Sequence, residues 1–299
     1  MTKHTDPTGV LVVNKPAGIT SHDVVNRIRR LFATKRVGHT GTLDPLATGV
    51  LVICLGQATR VAEYLSAERK EYRATAVFGI STDTEDATGV EYARVDASHI
   101  SRQDVDQVLP QFRGDILQTP PMVSAIHYQG KRLYELARAG VEVERDARAI
   151  HIYKLALTDF RPGALPEADF LVECSTGTYI RTLCSDIGST LAVGAMMSTL
   201  QRTRVGQFTL EQAHTLDELT ERAQMQDLGS TLRPLADALA HWPSVILDSD
   251  AMERLSHGQT VPGNAPDGAC ILLLDADQNA VGLARPSVLN ELAPYKVFI

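Results

Sequence analysis

The strongest constraint on the fold lies in residues 37–50, which read VGHTGTLDPLATGV. Three glycines and one proline within fourteen residues exclude a helix, because glycine is entropically costly there and proline lacks the amide donor. The apolar run LVICL at residues 51–55 follows at once and predicts a buried strand. The chain must therefore pass from an irregular loop directly into a sheet.

This loop holds one acid, Asp44, and one imidazole, His39. A stiff loop that displays a single carboxylate over a sheet is typical of reactive side chains held on a scaffold. A structural turn explains the same residues equally well, because Asp44 before Pro45 can hydrogen-bond to its own backbone. The loop alone leaves both interpretations open.

Basic residues are concentrated around this loop. The chain has a net charge of −7, yet residues 1–60 hold eight Lys or Arg against three acids, a local balance of +5. A basic segment on an otherwise acidic protein favours a local anion-binding surface. A solvated helix face has the same composition, so charge by itself does not decide between the two.

The rest of the composition limits the class of protein. Residues 1–7 are polar and no apolar stretch is long enough to span a membrane, so we expect no signal peptide. Four cysteines far apart, without a C-x-x-C pair, favour reduced thiols in a cytoplasmic protein over a zinc site. The acidic loop at residues 79–89 lacks the calcium-loop pattern. We therefore expect no metal and no cofactor, and nothing in the sequence suggests more than a monomer.

Hydrophobic periodicity predicts an α+β protein in two parts. A main domain covers residues 1–240 and ends in an acidic, helical part at about 211–240, and a small β-rich domain covers residues 244–299. The predicted elements are strands at 9–14, 50–55, 70–78, 148–160, 168–174, 193–210, 244–247, 269–274 and 280–284, and helices from Thr20 and at 58–65, 101–112, 133–139 and 249–257.

Two side chains in these elements need an explanation. Tyr72 lies on one face of the strand predicted at 70–78, a pattern that favours a core or interface aromatic. Residues 174–183 predict a strand end and a helix with Thr178 as N-cap, which places Arg181 in the first turn. A lone cation there is unfavourable against the helix dipole, so Arg181 should have a partner. A structural salt bridge and an anion clamp are equally compatible with the segment.

Three motifs together resemble the TruB family of pseudouridine synthases: KPAG at residues 15–18, GHTGTLDPLATG at 38–49 and GTYIR at 177–181. The resemblance extends over residues 9–205, and the segment after about 245 resembles the family's small RNA-binding, PUA-like domain. It implies the pseudouridine synthase fold, with a mixed, mostly antiparallel sheet flanked by helices. It also implies isomerisation of uridine 55 in the TΨC loop of tRNA, with the T-arm stem-loop as partner and no cofactor.

The resemblance also implies roles for individual residues. Asp44 matches the catalytic aspartate, Arg181 the arginine that pairs with it, and Tyr72 the tyrosine that stacks on the target base and helps to remove the C5 proton. Tyr179 and Leu200 match residues that line the uracil pocket. His39 matches the histidine that takes the place of the extruded nucleotide, and Asp86 matches an acidic position near the base. The basic residues expected to hold the RNA backbone are Lys15, Arg27, Arg30, Lys35, Arg36 and Arg60.

Three hypotheses therefore compete. The first is an RNA-modifying isomerase that uses Asp44 on a flipped base. The second is a tRNA-binding and tRNA-folding protein in which catalysis is secondary. The third is a hydrolase with an aspartyl nucleophile, which needs a second acid near Asp44 and a magnesium site; the loop itself supplies neither.

Overall fold

The computed structural model describes residues 7–124, 126–128, 130–266, 268–288 and 290–299. Most of residues 1–7, on which the expected absence of a signal peptide rests, lie outside this range. The strands are β1 (Gly9–Lys15), β2 (Val37–His39), β3 (Thr48–Leu55), β4 (Lys70–Phe78), β5 (Ile80–Thr82), β6 (Glu91–Arg94), β7 (Gly114–Gln118), β8 (His127–Tyr128), β9 (Lys131–Arg132), β10 (Arg148–Arg161), β11 (Glu167–Cys174), β12 (Ala195–Val205), β13 (Phe208–Thr209), β14 (Ser244–Ile246), β15 (Val261–Pro262), β16 (Ile271–Leu274), β17 (Ala280–Pro286) and β18 (Glu291–Val297).

The helices are fewer than the strands, and most of them are short. They are α1 (Ser21–Leu31), α2 (Ala62–Ser66), α3 (Arg102–Val108), α4 (Leu133–Arg138), α5 (Ile180–Thr190), α6 (Leu216–Gln224), α7 (Leu235–Ala238) and α8 (Ser249–Ser256). Within the described ranges, none of them is long and apolar enough to cross a membrane.

The main sheet confirms the predicted fold class. Its central strands follow the order β1-β3-β12-β4-β11-β10-β7, with β2 paired to β3 and β13 to β12. Neighbouring strands are antiparallel except β3 and β12, which run parallel where Thr48 and Gly49 meet Gln201 and Arg202. This parallel pairing joins the strand after the glycine-rich loop to the middle of the sheet.

One face of the sheet is packed against helices. Side chains on alternate positions of the strands, such as Leu51, Ala74 and Phe170, share one buried cluster with residues of α1, α3, α5 and α6. The period of two along each strand sorts these residues onto a single face. Helix α1 begins as predicted, because Thr20 and Asp23 form a reciprocal capping box at its N-terminus.

The C-terminal β-rich unit has its own five-stranded sheet, in the order β14-β16-β17-β18-β15. Strand β18 was not predicted, because Pro294 and the flanking Glu291 and Lys296 interrupt any apolar alternation. A second buried cluster contains Val52 and Cys54 of β3 together with residues of β16 and β17. The last strand of the main sheet ends at residue 209 and the first strand of the C-terminal sheet begins at residue 244. The domain boundary at 240–244 stays a prediction.

Two helical predictions were wrong in detail. A 3₁₀ helix precedes α2 at Gly56–Val61, so only the second half of the predicted helix at 58–65 is α-helical. The part at 211–240 is broken into α6 and α7: Gln226, just after α6, has a positive φ (59°), and Pro234, which lacks an amide donor, directly precedes α7.

Candidate active site

The loop before β3 is held rigid by residues outside it. The buried Ser21 hydroxyl accepts a hydrogen bond from the Leu43 amide (2.8 Å) and donates one to the Leu43 carbonyl (3.0 Å). On the other side of Asp44, the Gly18 amide donates to the Pro45 carbonyl (2.8 Å). Both neighbours of Asp44 are therefore tied to residues at or just before the start of helix α1, which explains the stiffness that the glycines and proline suggested.

The Asp44 side chain is held by an arginine from a distant part of the chain. Its Oδ2 atom lies 3.0 Å from Arg181 Nε, and the carboxylate is 37% exposed whereas the Arg181 side chain is 3% exposed. The other nitrogens of the guanidinium are occupied: Nη1 donates to the Thr84 carbonyl and Nη2 to the Val123 carbonyl, each at 2.9 Å. The bidentate pairing that a planar guanidinium allows is thus not formed here, because Nη1 and Nη2 are bonded to these carbonyls and Nε is the nitrogen that lies beside Asp44.

Arg181 occupies the first turn of α5, as predicted, but the cap differs. The N-cap residue is Tyr179 rather than Thr178, and no side chain of its own caps the helix. Instead, the buried Gln118 side chain accepts from the Tyr179 amide (2.8 Å) and donates to the Tyr179 carbonyl (3.0 Å). Gln118 therefore fixes the backbone immediately before Arg181, and sequence reasoning did not single it out.

The acidic loop also faces Arg181. Asp86 is 4% exposed and accepts hydrogen bonds from the Thr84 hydroxyl and from the amide and hydroxyl of Thr88. Its Oδ2 atom lies 3.7 Å from Arg181 Nη1. A second carboxylate thus does approach the site, but as a partner of the arginine. Within the described ranges, no group of three or more His, Cys, Asp or Glu side chains is arranged to hold a metal ion.

Two of the three residues expected around the base are buried, and the third is half-buried. Tyr72 is 7% and Leu200 8% exposed, and Tyr179 is half-buried. Burial raises the pKa of both phenols, and the negative charge of Asp44 adds a smaller increase in each pKa. The same carboxylate therefore acts on both tyrosines, which come from β4 and from the start of α5.

His39 lies at the beginning of the loop, where its ring is only partly accessible. The Gly41 amide donates to its Nδ1 atom (3.3 Å), so the neutral ring carries its proton on Nε2. Burial and, to a lesser extent, the charge of Arg202 lower the pKa of His39 below its usual range. The imidazole is consequently neutral at pH 7.

The expectation that Lys15 contacts the RNA backbone is wrong. Its side chain is 0% exposed, and Nζ donates to the carbonyls of Pro16 (2.8 Å), Ile19 (2.7 Å) and Pro45 (3.4 Å). Burial lowers the pKa of this ammonium to about 8. The ammonium of Lys15 therefore stabilises the backbone around the loop. Its position in a basic motif had suggested a surface cation.

The other predicted backbone contacts are accessible to different degrees. Arg30, Lys35 and Arg36 are exposed. Arg27 is partly exposed and reaches Asp217 at 3.4 Å. Arg60 is exposed, but its guanidinium hydrogen-bonds to a carbonyl of β18 and lies 5.8 Å from the ring of Phe298. Arg60 is thus engaged with the C-terminal unit.

Arg202, which the sequence analysis did not select, lies beneath the loop. It is 1% exposed, and its guanidinium donates to the carbonyls of Val50 (2.7 Å), Gly41 (3.0 Å) and Thr42 (3.5 Å). The sequence pattern could have predicted its burial, because the period of two places Arg202 on the same strand face as Leu200. A cation on the inward face of a strand indicates a buried polar contact.

Gly49 lies where no larger residue fits. Its φ is +100°, and a Cβ atom built there would come within 2.2 Å of the Arg202 carbonyl oxygen. We expect Gly49→Ala to lower the free energy of unfolding by about 3 kcal/mol, from overpacking and left-handed backbone strain together. Urea unfolding measures this loss.

Gly114→Ala is the matched control for Gly49→Ala. Gly114 also has a positive φ (+80°), but no atom lies within 4 Å of the position that a methyl group would take there. Only the backbone strain applies, so the expected loss is about 1 kcal/mol. Equal losses for the two variants would show that the close approach of Arg202 to Gly49 has no energetic cost.

Comparison with known proteins identifies relatives over most of the chain. Residues 29–180 match the family model described as TruB family pseudouridylate synthase (N terminal domain), and residues 181–240 match the tRNA pseudouridylate synthase B C-terminal domain. A protein of Symbiobacterium thermophilum named tRNA pseudouridine synthase B is 52% identical over 84% of this chain and 82% of its own length. One of Saccharophagus degradans with the same name is 42% identical over 97% and 95%.

A solved structure has the same fold. The archaeal box H/ACA sRNP Nop10–Cbf5 complex contains a chain that superimposes with a TM-score of 0.74 at 25% identity, covering 99% of this chain and 87% of that one. The shared fold therefore includes both sheets.

Proposed function

Because the chain belongs to the TruB family of pseudouridylate synthases, we propose that it isomerises uridine 55 in the TΨC loop of tRNA to pseudouridine. The observation that carries this proposal is the partly exposed Asp44 carboxylate held by a buried arginine on a rigid loop. The pseudouridine synthase activity follows from the family. The uridine position, the T-arm as the recognised element and the monomeric state belong to the proposal.

The reaction needs a nucleophile and no redox chemistry. The Asp44 carboxylate forms a bond either to C6 of the uracil ring or to C1′ of the ribose, and the N1–C1′ bond breaks. The base then rotates, C5 bonds to C1′, and the bond to Asp44 breaks and returns the free carboxylate. C5 loses its proton and N1 gains one. Product and substrate are isomers, so no oxidant or reductant takes part.

Arg181 keeps Asp44 oriented in this scheme. Its guanidinium lies between two carboxylates and two backbone carbonyls, and these contacts fix its orientation beside Asp44. Asp86 is on the far side of the guanidinium and holds it in place.

The target base must leave the RNA loop to reach Asp44. Among Asp44, Tyr72, Leu200 and Arg181, only Asp44 has a substantially exposed side chain, so the base approaches from the side of the aspartate. Flipping a base out of a folded loop costs a few kcal/mol. Tyr72 stacks on the flipped base and contributes to loss of the C5 proton, while Tyr179 and Leu200 line its pocket.

Exposed cations then hold the RNA backbone. Arg30, Lys35 and Arg36 lie at the end of α1 and in the segment after it, where no described contact covers their charges from solvent. Such contacts position RNA without reading its sequence. Arg27 can join them from the half-exposed face of α1, and Arg60 can do so from the junction with the C-terminal unit.

Release of tritium from C5 of labelled uridine in a tRNA transcript tests the proposal directly. We expect release from a transcript with uridine at position 55 and none when that position alone is cytidine. Release at an equal rate from both transcripts would contradict the assignment of the site. A second arm with an isolated T-arm stem-loop shows whether this element suffices.

His39→Ala tests the proposed place of the imidazole beside the vacated nucleotide. Without the imidazole, no side chain takes the place of the extruded nucleotide, so flipping the base costs more free energy. We therefore expect kcat/KM on the stem-loop to fall about tenfold, equivalent to about 1.4 kcal/mol. Turnover should remain measurable. His99→Ala, which removes an exposed imidazole from the segment before α3, is the matched control and should have no effect. Complete loss of activity in His39→Ala would instead make the imidazole catalytic.

A further inference from the structure

A row of four residues crosses the sheet directly beneath the catalytic loop. Strand register aligns Lys15 of β1 with Gly49 of β3, Gly49 with Arg202 of β12, and Arg202 with Tyr72 of β4. The close approach at Gly49 brings β3 and β12 together, since a methyl group there would collide with the Arg202 backbone. Arg202 therefore stands between the strand that leaves the loop and the strand that carries Tyr72.

The guanidinium of Arg202 binds the loop on both sides of Asp44. It donates to the carbonyls of Gly41 and Thr42, before the aspartate, and to that of Val50, after it. A planar fork with five donors in fixed directions can serve carbonyls that diverge in this way. Breaking these contacts would remove the bonds between Arg202 and both ends of the loop, and would leave its centre held by Ser21, Gly18 and Lys15.

Arg202 is also a buried charge without an acidic partner. Within the part of the chain that the structure describes, no carboxylate lies within ion-pair distance of its guanidinium. After burial, its charge is a further cause of the lowered pKa of His39, Lys15 and Lys70. An unpaired cation at this depth is costly for stability. Charges that perturb the pKa values of their neighbours cluster at functional sites, and Arg202 lies next to the catalytic loop.

We propose that Arg202 is the positioning residue of the catalytic loop: it ties the backbone on both sides of Asp44 to the strand of Leu200, and so fixes the carboxylate relative to the base and to Tyr72. The inference rests on the proposed function for its activity readout. Arg202 acts as a positioning residue, and its effect passes through the loop and through the phenol of Tyr72, with which its side chain also interacts. Its removal should therefore change turnover far more than RNA binding.

The experiment compares Arg202→Met, Arg202→Lys and Arg204→Met. Arg204 lies two residues along the same strand and pairs with Glu71 and Glu173 outside the site, so it is the matched control. For Arg202→Met we expect kcat to fall roughly 100-fold, the scale of a 1 Å misplacement, and the Kd for T-arm RNA to stay within about threefold. Arg202→Lys should be intermediate, since one ammonium cannot reach both ends of the loop. Arg204→Met should match the wild type.

Two readouts that need no turnover accompany the kinetics. The pKa of His39, followed by NMR, should rise in Arg202→Met and not in Arg204→Met. Amide hydrogen exchange at Leu43 and Ala47 should become faster in the same variant. These two measurements separate the inference from the proposed function: if the wild type forms no pseudouridine, the function fails, while unchanged exchange and titration would overturn the role of Arg202.

Several results would contradict the positioning role. A folded Arg202→Met protein with wild-type kcat would do so, as would equal losses of turnover and RNA affinity. If Arg202→Met does not fold, Arg202→Lys decides, because it keeps the charge and one set of contacts. Wild-type turnover and loop exchange in that lysine variant would then show that the divergent contacts of the guanidinium are not needed.

Discussion

Asp44→Asn is expected to abolish pseudouridine formation, with kcat at least about 1,000-fold lower than in the wild type. The amide has nearly the same shape as the carboxylate but neither its charge nor its nucleophilicity, so no bond to C6 or C1′ can form. The pinned backbone on both sides of Asp44 should keep the loop in place. Tritium release from C5-labelled tRNA measures the loss.

Binding of the stem-loop RNA is the necessary companion to this measurement. We expect Asp44→Asn to bind it at least as tightly as the wild type, because removal of a negative charge weakens repulsion of phosphate. Asp250→Asn makes the same chemical change at an exposed position of α8 and should leave turnover intact. Turnover by Asp44→Asn within tenfold of the wild type would falsify the nucleophile assignment and, with it, the mechanism.

Arg181→Lys is expected to give the second largest effect, a fall in kcat of about 100-fold or more with little change in RNA affinity. The reason lies in how the guanidinium is used. Its three nitrogens serve Asp44, Thr84 and Val123 in three directions, and a single ammonium cannot reach all of them. The Asp44 carboxylate would then lose its fixed orientation even though a positive charge remains nearby.

A loss of stability should accompany the loss of rate. Buried carbonyls left without a donor cost about 1–3 kcal/mol each, so the unfolding midpoint in urea should fall. Arg94→Lys is a suitable control, since Arg94 pairs with Glu91 on an exposed hairpin and should tolerate the change. If Arg181→Lys weakened RNA binding as much as turnover, Arg181 would be a substrate clamp rather than the partner of Asp44.

The fold was predictable where periodicity is strong. The strands around Tyr72 and Phe170 alternate regularly enough that their buried face follows from the sequence, and the continuous apolar run around Leu51 predicts a buried strand. Strand β18 was not predicted, because Pro294 breaks its alternation. The N-cap of α5 was not predicted correctly, because the stabilising group is the side chain of Gln118, which lies 61 residues away in the chain.

The site was predictable only in part, and for a physical reason. The pairing of Asp44 with Arg181 came from the family resemblance, since no local pattern joins residues so far apart. Lys15 was assigned to the surface because its sequence context does not reveal that three carbonyls surround it. Ser21 and Arg202 were overlooked because their contacts are with backbone atoms, which any sequence supplies.

The hydrogen bond between Arg202 and Val50 joins residues 152 positions apart. During synthesis, the motif around Asp44 leaves the ribosome early, but the strand that closes beneath it is made much later. Contacts of such long separation form slowly, because the intervening chain must first be ordered. A nascent chain that ends before residue 202 should therefore carry the aspartate and still be inert. Competence arises only once the chain beyond residue 202 has emerged.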